Sequence, residues 1–258
     1  MSLPTKGTAV IERNALDRHL DSLLEVSRFK DYGPNGLQVE GKPTIRKIVS
    51  GVTASMDLIQ AAIHSQADAI IVHHGLFWRG QDGRLTGWMK KRVAALMAHD
   101  INLFAYHLPL DAHPTLGNNV QWAKRLGLAA DLRFGEQDLG CIGDAPEGLE
   151  LQGLSQMLTE SLGRVPTVVP GDGRAIKRIA WCSGGAQSYF EAAIAAGADA
   201  FMTGEISEPQ AHYARETGVA YLACGHHASE RYGAQALGKK VAHDFALEHE
   251  FIDIDNPA

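Results

Sequence analysis

The segment KIVSGVTASMDLIQAAIHSQADAIIVHHG, starting at Lys47, aligns without a gap on RIAWCSGGAQSYFEAAIAAGADAFMTGEI, starting at Arg178, an offset of 131 residues. Ala61-Ala62-Ile63 falls on Ala192-Ala193-Ile194, and Ala67-Asp68-Ala69 on Ala198-Asp199-Ala200. Each copy opens with a β-rich run (48–52; 179–182) and a small-residue turn. Apolar residues at helical spacing follow: Leu58, Ile59, Ala62 and Ile63 in the first copy, Phe190, Ala193 and Ile194 in the second. A second apolar run then reads as a strand (70–72; 201–202). The pattern is β-α-β, which implies parallel strand pairs with right-handed crossovers. A period this long, occurring twice, points to an α/β fold built from two related halves.

The parallel extends beyond the aligned segments. After the first copy come a helical pattern near Trp88 to His99 and the strand INLFAYH. After the second come a helical pattern near Glu208 to Glu216 and the strand VAYLACGH. Each of these strands leads into a histidine followed four residues later by an acid, His107 to Asp111 and His226 to Glu230. In open α/β sheets, sites form past the carboxyl ends of strands. Residues 128–177 have no counterpart before the first copy. The expected division is therefore a site-bearing α/β domain of residues 1–127 with 219–258 and a second α/β domain of residues 128–218. LGNNVQWAKRLGL (116–128) reads as a helix capped by Asn118 or Asn119.

The candidate ligands are His73, His74, His107, Asp111, His226, His227 and Glu230. Several imidazoles with two carboxylates and no cysteine suit a divalent first-row metal. Two carboxylates exceed the need of one catalytic ion, so a dinuclear site is expected, with Asp111 and Glu230 as bridging candidates. In VHHG, His73 is expected to close its strand and His74 to open the loop. Gly75 would then turn the chain so that both rings reach one site. The competing reading is a pair of structural histidines. His107 is a ligand or a group orienting Asp111, and His227 an auxiliary acid/base. Glu205, aligned with His74, either faces the site or starts a helix. SGGAQS (183–188) either cradles a phosphate at a helix start or only turns the chain.

The formal net charge of −6, with no basic run, argues against a non-specific nucleic-acid binder and leaves open only a local basic patch. Three cysteines without a C-x-x-C read as reduced thiols of a cytoplasmic protein, and no apolar run reaches membrane-spanning length. There is no G-x-S-x-G elbow, so the expected nucleophile is metal-activated water.

The stretches DYGPNGLQVEG (31–41), VHHGLFW (72–78), YHLPLDAHPTLGNN (106–119), TGEISE (203–208) and GHHASE (225–230) resemble the Nif3-like family. The YbgI-type members, often labelled GTP cyclohydrolase 1 type 2 homologues, look most similar. The resemblance implies two interlinked α/β domains and a toroidal homohexamer. It also implies two divalent metal ions per chain, held by His73, His74, Asp111, His226 and Glu230, with Glu230 touching both. The residues leave zinc, manganese, iron, cobalt and nickel open. The leading function it implies is a hydrolase acting on a purine nucleotide in the manner of a GTP cyclohydrolase, with His107, His227 and Glu205 moving protons. The alternatives are a two-metal phosphoesterase and a non-enzymatic metal-binding ring that serves as scaffold or regulator.

Overall fold

A computed structural model describes residues 9–258. The chain forms two compact α/β units, Met1–Leu110 with Ala234–Ile254 and Asp111–Gly233 with Asp255–Ala258. In chain order the first unit contributes β1 (Ile11–Glu12), α1 (Arg13–Leu23), β2 (Gly36–Val39), β3 (Thr44–Ile45), β4 (Lys47–Thr53), α2 (Met56–His64), β5 (Ala69–His74), α3 (Gly87–Ala98) and β6 (Asn102–Ala105). The short helix α4 (Leu108–Ala112) carries the chain into the second unit. There follow α5 (Asn118–Arg125), β7 (Leu132–Phe134), β8 (Gly140–Asp144), α6 (Leu151–Leu162), β9 (Thr167–Val169) and β10 (Arg178–Trp181). Next come α7 (Phe190–Ala195), β11 (Ala200–Thr203), α8 (Glu208–Thr217) and β12 (Ala220–Ala223). The helix α9 (His226–Phe245) begins in the second unit, and β13 (Glu248–Phe251) returns to the first.

The sheet of the first unit runs in the order β13-β4-β5-β6-β2, with β13, β4, β5 and β6 parallel and β2 antiparallel. Its central strands are buried on both faces, which explains their continuous apolar sequence rather than an alternating one. Ser55 caps α2 by accepting the Leu58 amide N–H at 3.1 Å, and the helix buries Leu58, Ile59 and Ala62. Gly51 lets this helix lie close, because a Cβ there would strike the Leu58 side chain.

The sheet of the second unit runs β7-β8-β10-β11-β12-β9, with β10, β11 and β12 parallel. Its core gathers Trp122, Trp181, Leu154, Leu158 and Leu222, all essentially without solvent contact. The two aligned sequence segments thus take the same order of elements, strand-helix-strand with parallel pairing.

The units divide at 110/111, 233/234 and 254/255, where the sequence suggested 127/128 and 218/219. Two packing facts move them. Trp122 of α5 is fully buried in the second core, and β12 is paired on both sides within the second sheet. Among the described residues no helix is long and apolar enough to cross a membrane.

Candidate metal centre

In the first unit, parallel strands deliver three histidines from their carboxyl ends. His73 and His74 finish β5, and His107 follows β6. Their ring centroids lie 4.6 Å (His73–His74), 5.0 Å (His73–His107) and 5.7 Å (His74–His107) apart. Each offers a ring nitrogen within 4.8 Å of the others. His74 does not leave the strand, as the sequence suggested, but stays in β5 opposite Thr53 of β4. Nor does Gly75 adopt a left-handed turn. It is needed for close approach, since a Cβ there would overlap the Gln38 carboxamide, whose Oε1 accepts the Leu76 amide at 2.8 Å.

Each ring is held through Nδ1. His73, fully buried, donates to the Tyr106 carbonyl at 3.0 Å. A carbonyl only accepts, so Nδ1 carries the proton and Nε2 the ligating lone pair. His74 Nδ1 meets the Thr53 hydroxyl at 3.1 Å. His107 Nδ1 meets Asp31 Oδ1 at 2.7 Å. The Asp31 side chain is 3% exposed and also accepts the Leu108 amide at 2.9 Å, the Asn35 carboxamide at 2.9 Å and its neighbour Tyr32's amide at 2.6 Å. Burial alone would raise its pKa. The hydrogen bonds and the charge of His107 outweigh burial and hold it below the ordinary carboxylate value.

In the second unit the same logic delivers the acids. Ser183 and Gly184 follow β10, Glu205 follows β11 and His226 follows β12. The start of α9 puts His226 and Glu230 one turn apart, with Nε2 and Oε2 at 3.1 Å. The His226 Nδ1 meets Glu205 Oε1 at 2.7 Å, and Gln187 donates to Glu205 Oε2 at 3.2 Å. Burial pushes the His226 pKa down, but Glu230 and then Glu205 outweigh it and hold it at about 9. Metal binding would displace that proton.

Asp111 and Glu230 are buried carboxylates, 7% and 2% exposed. Asp111 Oδ1 accepts from the Asn118 carboxamide at 2.8 Å and the Ser183 hydroxyl at 3.2 Å. Burial, then Asp111, Cys141 and Glu230, push the Cys182 thiol well above its ordinary range. Buried carboxylates of this kind are stable when paired or coordinating a cation. Imidazoles oriented through Nδ1 and buried carboxylates oriented by amides and hydroxyls are the donor set a divalent first-row ion takes.

The first unit thus gathers His73, His74 and His107, and the second joins His226, Glu230 and Glu205, with Asp111 on its own set of amide and hydroxyl donors. Glu205 lies against the imidazole of His226 as an orienting carboxylate. His227 is 9% exposed, and its backbone amide donates to the Ala258 carbonyl at 3.2 Å. Asn118 and Asn119 do not cap α5, whose N-cap is Gly117. They are buried instead. Asn118 links Asp111 to the Gly233 amide, and Asn119 accepts the Ser183 amide at 2.8 Å while donating to the Leu139 carbonyl at 3.1 Å. SGGAQS turns the chain over the acids. Gly184 has φ +69°, its amide donates to Ser229 Oγ at 3.0 Å, and a Cβ there would overlap Glu230.

Sequence reasoning gave no role to Asp31, Asn35, Thr53 or Ser229, and read Ser183 only as part of the SGGAQS turn. Asp31 and Asn35 lie in the DYGPNG motif, so a signal was present. Ser229 likewise lies in GHHASE, whereas Thr53 carries no signal, because its partner is fixed only by strand register.

The chain is similar over nearly its whole length to several known proteins. A protein of Neisseria meningitidis serogroup B called a GTP cyclohydrolase 1 type 2 homolog is 52% identical over 235 residues, 91% of this chain and 94% of that protein. One of the same name from Pseudomonas aeruginosa is 48% identical over 251 residues, 96% and 99% of the two chains. The solved structure of protein ybgI, described as of unknown function, superposes with a TM-score of 0.93 at 43% identity, over 96% of this chain and all of the other. TTHA1606 from Thermus thermophilus superposes with a TM-score of 0.88 at 34% identity, over 96% of this chain and all of that one. The family profile itself matches from residue 11 to residue 257, and on this combined likeness the chain belongs to the Duf34/NIF3 (NGG1p interacting factor 3) family.

Proposed function

We propose that this chain is a dinuclear metal-dependent hydrolase acting on a purine nucleotide, with His73, His74, Asp111, His226 and Glu230 as the metal ligands. One observation carries the reading. The three ligand histidines, His73, His74 and His226, each engage Nδ1 with a carbonyl, hydroxyl or carboxylate, the arrangement that fixes a ring for ligation through Nε2. The names of the relatives supply the substrate class. The family resemblance of the motifs adds a toroidal hexamer to the proposal, and the three cysteines without a C-x-x-C add a cytoplasmic setting.

When bound, two divalent ions supply Lewis acidity and lower the pKa of water towards neutrality. The chain's own residues do the rest. His107, backed by Asp31 at Nδ1, takes and returns a proton at Nε2. Glu205 fixes the plane of the His226 ring. In a cyclohydrolase reaction one water adds at the guanine C8 carbon and the C8–N9 bond breaks, opening the ring to a formamide on N7. A second water then cleaves the C8–N7 bond, so that C8 leaves as formate and N7 remains as an amine.

Incubation of the metal-loaded protein with GTP tests this. Formate release, abolished in Glu230→Gln, is the expected result. Phosphate or nucleoside monophosphate in place of formate supports the phosphoesterase alternative. Metal-loaded protein that consumes neither GTP nor phosphodiesters overturns the hydrolase reading and leaves the scaffold alternative.

A further inference from the structure

Beside the histidines of the first unit lies a group that the proposed mechanism does not use. Tyr32 is 58% exposed, although its backbone is clamped on both sides. Its amide donates to Asp31 Oδ1 at 2.6 Å, and its carbonyl accepts the Arg79 amide at 2.6 Å. The Tyr32 ring centroid is 6.1 Å from that of His107. Trp78, half-buried, meets His107 edge-on at 5.0 Å and lies 6.0 Å from His74. The loops bearing the two aromatics touch backbone to side chain at Gly33, where a Cβ would strike the Phe77 carbonyl and crowd the Trp78 ring. The Arg79 guanidinium, exposed at the same edge, is tied down by donating to the Asp31 carbonyl at 2.7 Å.

A solvent-facing aromatic ring on an immobilised backbone is well suited to stacking. Base–aromatic stacking discriminates little between bases, because every base has a π-face. A guanidinium beside it adds affinity for an anion. We propose that Tyr32, Trp78 and Arg79 form the recognition subsite for a planar heteroaromatic ring bearing an anionic substituent, stacked next to His107 and His74. The inference rests on the purine-nucleotide reading and deepens it. It says that the ring is gripped by the first unit's own residues rather than by metal alone.

Calorimetric titration with GMP and with ribose 5-phosphate, on the full chain as purified, tests this. A Trp88→Phe background allows Trp78 fluorescence to be followed in parallel, since Trp122 and Trp181 are buried. The expected result is GMP binding that quenches Trp78, with ribose 5-phosphate about tenfold weaker or undetectable. Tyr32→Ala should weaken GMP by about tenfold, while Tyr32→Phe retains it. Tyr32 is exposed, so the truncation should leave the thermal melting point in place. If Tyr32→Ala binds GMP as tightly as its parent, the subsite is wrong and the purine reading stands. If the parent binds neither GMP nor GTP, the purine reading fails, and the subsite with it.

Discussion

Glu205 Oε1 stands 2.7 Å from His226 Nδ1, while His226 Nε2 stands 3.1 Å from Glu230 Oε2. One imidazole is thus held from behind by one carboxylate and faces another. The rear carboxylate fixes ring orientation and raises basicity, and losing such a partner typically costs about 10- to 100-fold in metal affinity. Glu205→Gln is expected to weaken metal binding by about that factor without unfolding the second unit. Competition against a chelator of known affinity measures it. An unchanged affinity would mean that Glu205 does not orient a ligand.

Asp111 and Glu230 are the buried carboxylates of the proposed centre. Elemental analysis of the native chain should give about two divalent ions per chain. Asp111→Ala and Glu230→Ala should each lose metal. A content unchanged by both substitutions would make the histidine cluster structural, and the hydrolase proposal would fall with it.

The fold was legible because β-α-β units leave a strong trace. Continuous apolar strands, a helical stripe and a small-residue turn recur in both segments. Asp68 and Asp199 show how deep the parallel runs. Asp68 Oδ2 accepts the amides of Arg46 and Lys47, and Asp199 Oδ2 those of Lys177 and Arg178. The metal-ligand candidates were legible because His-x-x-x-acid after a strand is a chemical pattern as well as a local one. What surrounds them was not. Asn118 and Asn119 looked like helix caps, since that is the commonest local use of asparagine there. Only the fold brings Asp111, Gly233 and Ser183 to them. His74 looked like a loop residue because neighbouring strand residues point to opposite faces. At the end of β5 the His73 and His74 ring centroids nevertheless lie 4.6 Å apart.

Gly184 is a sharp test of the second unit's cluster. Its φ of +69° disfavours any L side chain, and a Cβ would overlap the Glu230 carboxylate. Gly184→Ala should therefore displace Glu230, lowering both metal content and stability. The backbone cost alone is about 1 kcal/mol or more. Gly80→Ala is the control for left-handed strain, because a Cβ there meets nothing and its φ is +83°. It should be mildly destabilising and keep its metal. Metal loss in both variants, or in neither, would show that the overlap with Glu230 is not what matters.

Asp68 gives a pH-dependent prediction away from the metal ligands. Burial raises its pKa, but the Lys42 hydrogen bond, the Arg46 and Lys47 amides and the Lys42 charge outweigh burial and lower it below the ordinary 3.8. A carboxylate with a depressed folded-state pKa stabilises the fold fully above its unfolded value. That stabilisation is lost as pH falls through the lower, folded value. Asp68→Asn keeps the shape but removes the charge and one acceptor for the strand amides. It should destabilise by about 1–2 kcal/mol at neutral pH. The gap between wild type and variant, measured by urea unfolding, should stay constant from pH 7 to pH 5. It should shrink only below about pH 4, because the protonated aspartate then resembles the amide. A gap that closes already between pH 7 and pH 5 would show that the carboxylate is not held in its charged form.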